Sequence, residues 1–426
     1  MPVALAILFF FGILTLWIPA YWPVTVFQVG LFILTVATVW RERRSLTRFN
    51  YPVVPLLFAV LWGLVQLGLH REAYAFDTKT AIVKWVTFLC VFVVGTLLFR
   101  DPEARRGFQT AMLWFSLVVA VEATVQAFTG DGKIFWIFQV PFSEHAMGPI
   151  LSANHWAVFI EAVLPIALYR AFRDHRERLL YSTMAAVMYA SVLASTSRMG
   201  NVLVSLEIVV LVLLMWARHE VSRGVVTSVF VRLLLFVVVF GTIIGWGRLW
   251  ERFREPDPMH WRTQFNQASV EMIKGHRLFG VGLGSWPTVY PRYEVIDVGM
   301  FANQAHNDWL EWTAEGGLPF GIAMLTLFVW CLRPAFRSTW GIGVIAVFLH
   351  GCVDYPFSRP ALGSWTILVI SMLAVAQWTP RGKQRASERV LAEEEAVAES
   401  TVQDDAEPVV ERHRRRRHRT RSTGLG

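Results

Sequence analysis

The chain has 426 residues, 54% of them hydrophobic, with a mean hydropathy of +0.44 and a formal net charge of +8. A soluble globular protein of this length has no use for so much apolar surface, so that class is excluded. The charge says less than its size suggests, because one C-terminal cluster from Arg412 to Arg421 inflates it.

In chain order, about twelve apolar stretches have the roughly 17–23 residues that fit a bilayer core. They run over about 3–19, 21–40, 50–69, 81–99, 108–128, 156–172, 180–196, 200–216, 225–247, 317–332, 340–355 and 360–378. In hydrocarbon each backbone polar group must be satisfied within its own segment, so the spans are expected to be helices. The first has no basic n-region, and Trp17-Ile-Pro-Ala-Tyr21 is a poor cleavage site, so it reads as a span and not a signal peptide. Cys90, Cys331 and Cys352 fall inside apolar spans as small hydrophobes, without disulfide or metal spacing.

Basic residues set the topology. Arg41, Arg43, Arg44 and Arg48 follow the second span, Arg100, Arg105 and Arg106 the fourth, and Arg170, Arg173, Arg176 and Arg178 the sixth. Arg218 and Arg223 follow the eighth, and Arg333 and Arg337 the tenth. Lys/Arg bias in short loops marks the cytoplasmic side, so both termini are expected there. The long basic stretch 248–316 is read as lying outside, because long segments translocate regardless of charge. The expected architecture is an all-α polytopic membrane protein over 1–378, followed by a disordered cytoplasmic tail over 379–426. That tail reads as solvated, with attraction to anionic membrane lipids as the sharper alternative. It lacks aromatic interleaving and a binding fold, so nucleic acid is not an expected partner.

The outer stretch contains the groups that carry chemistry. Trp261, Phe265, Ala268, Met272 and Ile273 recur at helical spacing with polar residues between them, which predicts a short amphipathic helix. Gly275-His-Arg-Leu-Phe-Gly-Val-Gly-Leu-Gly-Ser-Trp-Pro287 follows as a turn-rich loop. With no preceding strand and no Gly-Lys-Ser/Thr, it is not read as a nucleotide cradle. A helix restarts near His306, with Asp308, Glu311 and Glu315 on a face different from that of the histidine. Gly316-Gly317 either ends or kinks it. His306 supplies an imidazole, a group that suits a general base or a donor to a leaving phosphate. Arg198 and Arg262 sit at membrane edges; they either snorkel and face solvent or hold a diphosphate, whose oxygens guanidinium matches bidentately. Glu161, inside the sixth span, is a functional candidate because an intramembrane carboxylate is costly; Glu122 and Glu207 are similar. Asp354, Tyr355 and Arg359 stand at the outer end of the last two spans.

Four pieces together resemble the O-antigen ligase and O-antigen polymerase superfamily. They are Leu151-Ser-Ala-Asn-His-Trp-Ala-Val-Phe159 with Leu164-Pro165; Ser195-Thr-Ser-Arg-Met-Gly200; Trp261-Arg262 with Phe279-Gly-Val-Gly-Leu-Gly-Ser-Trp286; and Ala305-His-Asn-Asp-Trp-Leu310 with Glu315-Gly-Gly-Leu-Pro-Phe-Gly321. The resemblance covers roughly 80–380. It implies a GT-C-like, metal-independent, inverting glycosyltransferase of the bacterial inner membrane without a cofactor. The donor would be a glycan on undecaprenyl diphosphate at the periplasmic face. The acceptor would be lipid A–core in a ligase, another glycan in a polymerase, or a Ser or Thr in a protein O-oligosaccharyltransferase. Carried over, His306 is the base or a diphosphate contact, and Arg198 and Arg262 bind the diphosphate. Asn154, Asn307, Asp308, Glu315 and Glu161 are supporting candidates. A polysaccharide-lipid flippase is the alternative of another class, although no repeat relates the two halves.

Overall fold

The computed structural model describes residues 1–42, 50–141, 146–244, 260–294 and 301–377. The tail over 379–426, the arginines Arg43, Arg44 and Arg48, the outer stretches 248–259 and 295–300 and the Trp261 side chain lie outside the described residues.

The described chain is a helical bundle. Its helices are α1 (Pro2–Leu14), α2 (Trp22–Glu42), α3 (Val53–Gly68), α4 (Ala75–Leu98), α5 (Pro102–Thr129), α6 (Ala153–Glu161), α7 (Leu164–Arg173) and α8 (Arg178–Ser195). They continue as α9 (Arg198–Ala217), α10 (Arg223–Ile244), α11 (His260–Gly275), α12 (Trp286–Val289), α13 (Asp308–Ser338), α14 (Ile342–His350) and α15 (Pro360–Ala376). A two-stranded antiparallel hairpin, Lys133–Ile134 with Phe138–Gln139, follows α5.

Among the described residues, six helical stretches are long and apolar enough to cross a membrane: α2, α4, α5, the α6–α7 pair, α9 and α13. Six meet that criterion of length and composition, against about twelve spans expected, and α1, α3 and α15 are shorter apolar helices. Three boundaries move for local reasons. The span expected over 156–172 is interrupted between Glu161 and Leu164, and Pro165 stands at the start of α7. The span expected over 340–355 ends at His350, and a short 3-10 turn at Pro356–Ser358 follows. Cys352 is therefore exposed beyond the helix end and not buried in a span. The tenth span merges with the helix before it into α13, which is kinked at Gly317.

Burial follows the apolar pattern. α15 is apolar all round, and every residue from Ala361 to Val375 is buried, as expected for a helix at the centre of a bundle. It packs on α4, where Gly95 lets Ser371 approach closely. The α6–α7 stretch is similarly enclosed, by α8 and α9. α2 and α9 instead expose apolar faces such as Ile33, Val36, Val202 and Leu213. Apolar outer faces around a buried apolar centre are those of a protein that lives in lipid.

The kink in α13 explains the glycine-rich loop. Gly317 leaves helical geometry at φ 72° and ψ −179°, and Pro319 has no N–H to give. Three carbonyls are thereby released, and each finds another donor. Ala314 O accepts from Val281 N at 2.9 Å, and Glu315 O from Gly282 N at 3.0 Å and Gln66 Nε2 at 2.9 Å. Gly316 O accepts from Trp62 Nε1 at 2.8 Å. Gln66 is fully buried and also bonds Phe279 O and Leu283 N, so one side chain ties α3 to the loop and the broken helix. Gly280 sits at φ 69°, and a Cβ there would lie 2.2 Å from Glu315 O, leaving no room for a side chain. Gly280→Ala is expected to destabilise the protein by at least about 2 kcal/mol. Thermal unfolding in detergent, followed by tryptophan fluorescence, should show a clear drop in midpoint, whereas Gly275→Ala should be near neutral.

Candidate functional site

Three helix N-termini supply the site. Each is capped by a side chain from one of the motifs: Ser152 Oγ accepts from His155 N at 3.5 Å, Ser197 Oγ from Gly200 N at 3.2 Å, and Asn307 Oδ1 from Leu310 N at 3.1 Å. Such caps contribute about 1 kcal/mol each. Ser197 also donates to Asn154 Oδ1 at 2.8 Å, tying the start of α9 to the start of α6. Gly200 makes that approach possible, since a Cβ there would meet Ala157 Cβ at 2.2 Å. Arg198 is therefore the first residue of α9, directly after the side chain that Asn154 holds.

His306 lies just before the cap of α13, with its backbone at φ 51° in the left-handed region. Its Nδ1 is 3.3 Å from Asp354 Oδ1, an ion-pair distance without hydrogen-bond geometry. The imidazole is 33% exposed and the Asp354 side chain only 2%. The imidazole stacks on Phe265 of α11, with ring centres 5.9 Å apart, and meets the Tyr355 ring edge-on at 4.7 Å. The other edge contact of Tyr355, also at 4.7 Å, is the buried His155 of α6. Burial alone would raise the Asp354 carboxyl, but His306 beside it, with His155 and His350 nearby, outweighs this and holds it well below the usual carboxylate range. Burial and the Asp354 charge push the Tyr355 hydroxyl up, so it remains a proton donor.

Arg262 stands one turn before Phe265 on α11 and lies within electrostatic reach of Tyr355 and His350. Arg359, exposed, has the same relation to His155 and Tyr355. The structure thus joins His306, Asp354, Tyr355, His155 and Arg262 through direct or electrostatic contacts, and joins Ser197, the residue before Arg198, to Asn154, the residue before His155.

The acids of α13 have other work. Asp308, Glu311 and Glu315 are all buried, and each accepts a backbone N–H: Asp308 Oδ2 from Phe357 at 3.1 Å, Glu311 Oε2 from Ala305 at 2.7 Å, and Glu315 Oε1 from Trp286 at 3.1 Å. They hold the backbone at Ala305, next to His306, at Phe357 and at Trp286. Glu161 is fully buried and bonds His350, with Oε1 and Nδ1 2.8 Å apart. Two relationships escaped the sequence. Asp354 was visible as a polar group at a span end, but its pairing with a residue 48 positions earlier was not. His350 gave no signal, because a lone histidine inside an apolar stretch does not reveal its partner.

Residues 183–325 match the family model described as O-antigen ligase. That stretch is similar to the O-antigen ligases. Arg198, Arg262 and His306 fall inside it, while Asn154, His155, Glu161, Asp354 and Tyr355 lie outside. No curated protein matches the chain. The match supports, in a general sense, an O-antigen ligase-like, glycosyltransferase-like role, and the long apolar helices support a membrane protein.

Proposed function

We propose that the chain transfers a glycan from undecaprenyl diphosphate to an acceptor hydroxyl at the periplasmic face of the bacterial inner membrane. In this reading it is ligase-like, GT-C-like and inverting, needs no metal, has more spans than the six most apolar helices, and has both termini in the cytoplasm. The observation that carries it is the His306–Asp354 pair, held between Phe265 and Tyr355 and belonging in part to the stretch similar to the O-antigen ligases.

The chemistry follows from these groups. In this reading the Asp354 carboxylate, 3.3 Å from Nδ1, favours a proton on that nitrogen, which leaves the Nε2 lone pair for the acceptor. Nε2 takes the acceptor O–H proton as the hydroxyl oxygen attacks the anomeric carbon. The old C–O bond breaks with its electron pair on the diphosphate. Arg198 and Arg262 meet the charge that accumulates there, in a low-dielectric setting where fixed cations act more strongly than water. The N-termini of α6 and α9 add to the same positive field in this reading. Asn154 ties the starts of α6 and α9 together, and Asn307 caps α13. The acceptor is lipid A–core in this reading, with another glycan as the polymerase alternative.

The test uses purified full-length protein in proteoliposomes with a lipid-linked glycan donor and a lipid A–core or oligosaccharide acceptor. A transferred product supports the proposal. Lipid flux without any transfer would replace it with a flippase. Product size separates the two enzyme readings: capped lipid A–core marks a ligase, lengthened lipid-linked chains a polymerase.

A further inference from the structure

The hairpin after α5 builds a surface that the chemistry of the site does not use. It pairs Lys133 with Gln139 and Ile134 with Phe138. Its base is polar and its tip is apolar: Trp136, Ile137 and Phe138 are 42%, 72% and 44% exposed. Two consecutive aromatic residues, Phe135 and Trp136, hold left-handed backbone at φ 52° and 60°, where glycine or asparagine is the usual occupant. Such a conformation persists only where its surroundings fix it. Three contacts do so. Gln126 Oε1 accepts from Phe135 N at 2.6 Å, Thr129 Oγ1 accepts from Trp136 Nε1 at 2.8 Å, and Trp17 stacks on Phe138 with ring centres 4.6 Å apart. Gln126 Nε2 also donates to Gly148 O at 3.3 Å, so the hairpin is tied to the stretch that leads to the Ser152 cap.

What covers the tip follows from its neighbours. Trp17 lies between α1 and α2, and Tyr21 and Trp22, a few positions on, are 78% and 54% exposed. From Trp22 an exposed apolar face of α2 continues at helical spacing through Val26, Val29 and Ile33, and such a face belongs to lipid. Through the Trp17–Phe138 stack the tip is continuous with that lipid-facing surface. Aromatic residues at the ends of spans sit in the boundary between headgroups and acyl chains, with their rings in the apolar layer and their N–H or O–H groups towards water. A polar base under an apolar tip fits the same boundary, with the exposed Lys133 left at headgroup level.

We propose that the hairpin is a lipid-binding element, whose tip of Trp136, Ile137 and Phe138 seats in the headgroup–acyl boundary at the end of the bundle where α6 and α9 begin. The inference stands apart from the reading of His306 as the base.

The test places a nitroxide at Ile137→Cys, in a background with Cys90, Cys331 and Cys352 replaced by alanine, on full-length protein in nanodiscs of phosphatidylethanolamine and phosphatidylglycerol. Val118→Cys, on the exposed apolar face of α5, gives the lipid reference, and Glu103→Cys, at the exposed start of that helix, the aqueous one. The label at position 137 should collide severalfold more often with oxygen, which dissolves in lipid, than with a water-soluble nickel chelate, as the label at 118 does. Preference for the nickel chelate would put the tip in water and overturn the proposal. An immobile label shielded from both reagents would mark a protein cover, a second copy included, and overturn it as well. Wild-type protein gives a second readout without any substitution. A lipid with a photoactivated carbene precursor near the ester end of its acyl chain should label the 133–139 peptide as well as α2. Labelling of α2 without the hairpin refutes the proposal even if the cysteine variants fail to fold. Neither readout depends on glycan transfer, so a failure here leaves the reading of His306 untouched.

Discussion

His306→Ala should lower kcat/KM for glycan transfer by about 10²–10⁴, the usual worth of a positioned general base. The measurement is the initial rate of product formation with saturating lipid-linked donor, on protein whose folding is checked by its unfolding midpoint. Normal turnover by the folded variant would remove His306 from the chemistry. Asp354→Asn is the graded partner of this experiment. It leaves the imidazole between Phe265 and Tyr355 but removes the carboxylate that selects its tautomer, so a smaller loss is expected. It also carries a pH signature. A carboxyl whose folded value is depressed gives stability that is present above its unfolded value, about 3.9, and is lost as the pH falls towards the folded one. The stability gap between wild type and Asp354→Asn should therefore be full at neutral pH and close on acidification.

The second large effect concerns the diphosphate. Arg198→Ala should cost about 3–4 kcal/mol of transition-state stabilisation, a 10²–10³ loss in kcat, by comparison with single donors to a developing oxyanion. Lysine should not restore it, because an ammonium cannot offer the planar fork that guanidinium presents to phosphate. Steady-state kinetics with varied donor distinguishes two outcomes. A fall in kcat means that Arg198 acts on the leaving group as charge develops. A rise in KM with kcat intact means that it grips the donor equally before and during reaction, which would refute the proposed role.

How far the chain could be read in advance depended on the range of each interaction. The amphipathic helix over 260–275 was legible because its apolar spacing is a local property. The break after Glu161 had a local sign as well, in Leu164-Pro165, but the apolar run across it masked the interruption. Asp308, Glu311 and Glu315 show the limit. Their spacing placed them on a face apart from His306, yet nothing local said that each would accept an N–H from a loop segment. The same holds for Glu161 and His350, 189 positions apart, whose contact exists only once α6 and α14 pack. The family match has a similar horizon: it covers the three basic residues but not the aspartate and asparagine beside them.

The backbone at His306 carries a last implication. A left-handed conformation there costs an ordinary L-residue about 1 kcal/mol, and glycine or asparagine would adopt it more readily. The grip of Glu311 on Ala305 and the Asn307 cap fix the chain on either side, so the turn survives with an ill-suited residue in its middle. Imidazole therefore stands at a position the local conformation would give to something smaller. An asparagine variant would relax that turn while losing the base, so at this one residue robustness and turnover pull in opposite directions.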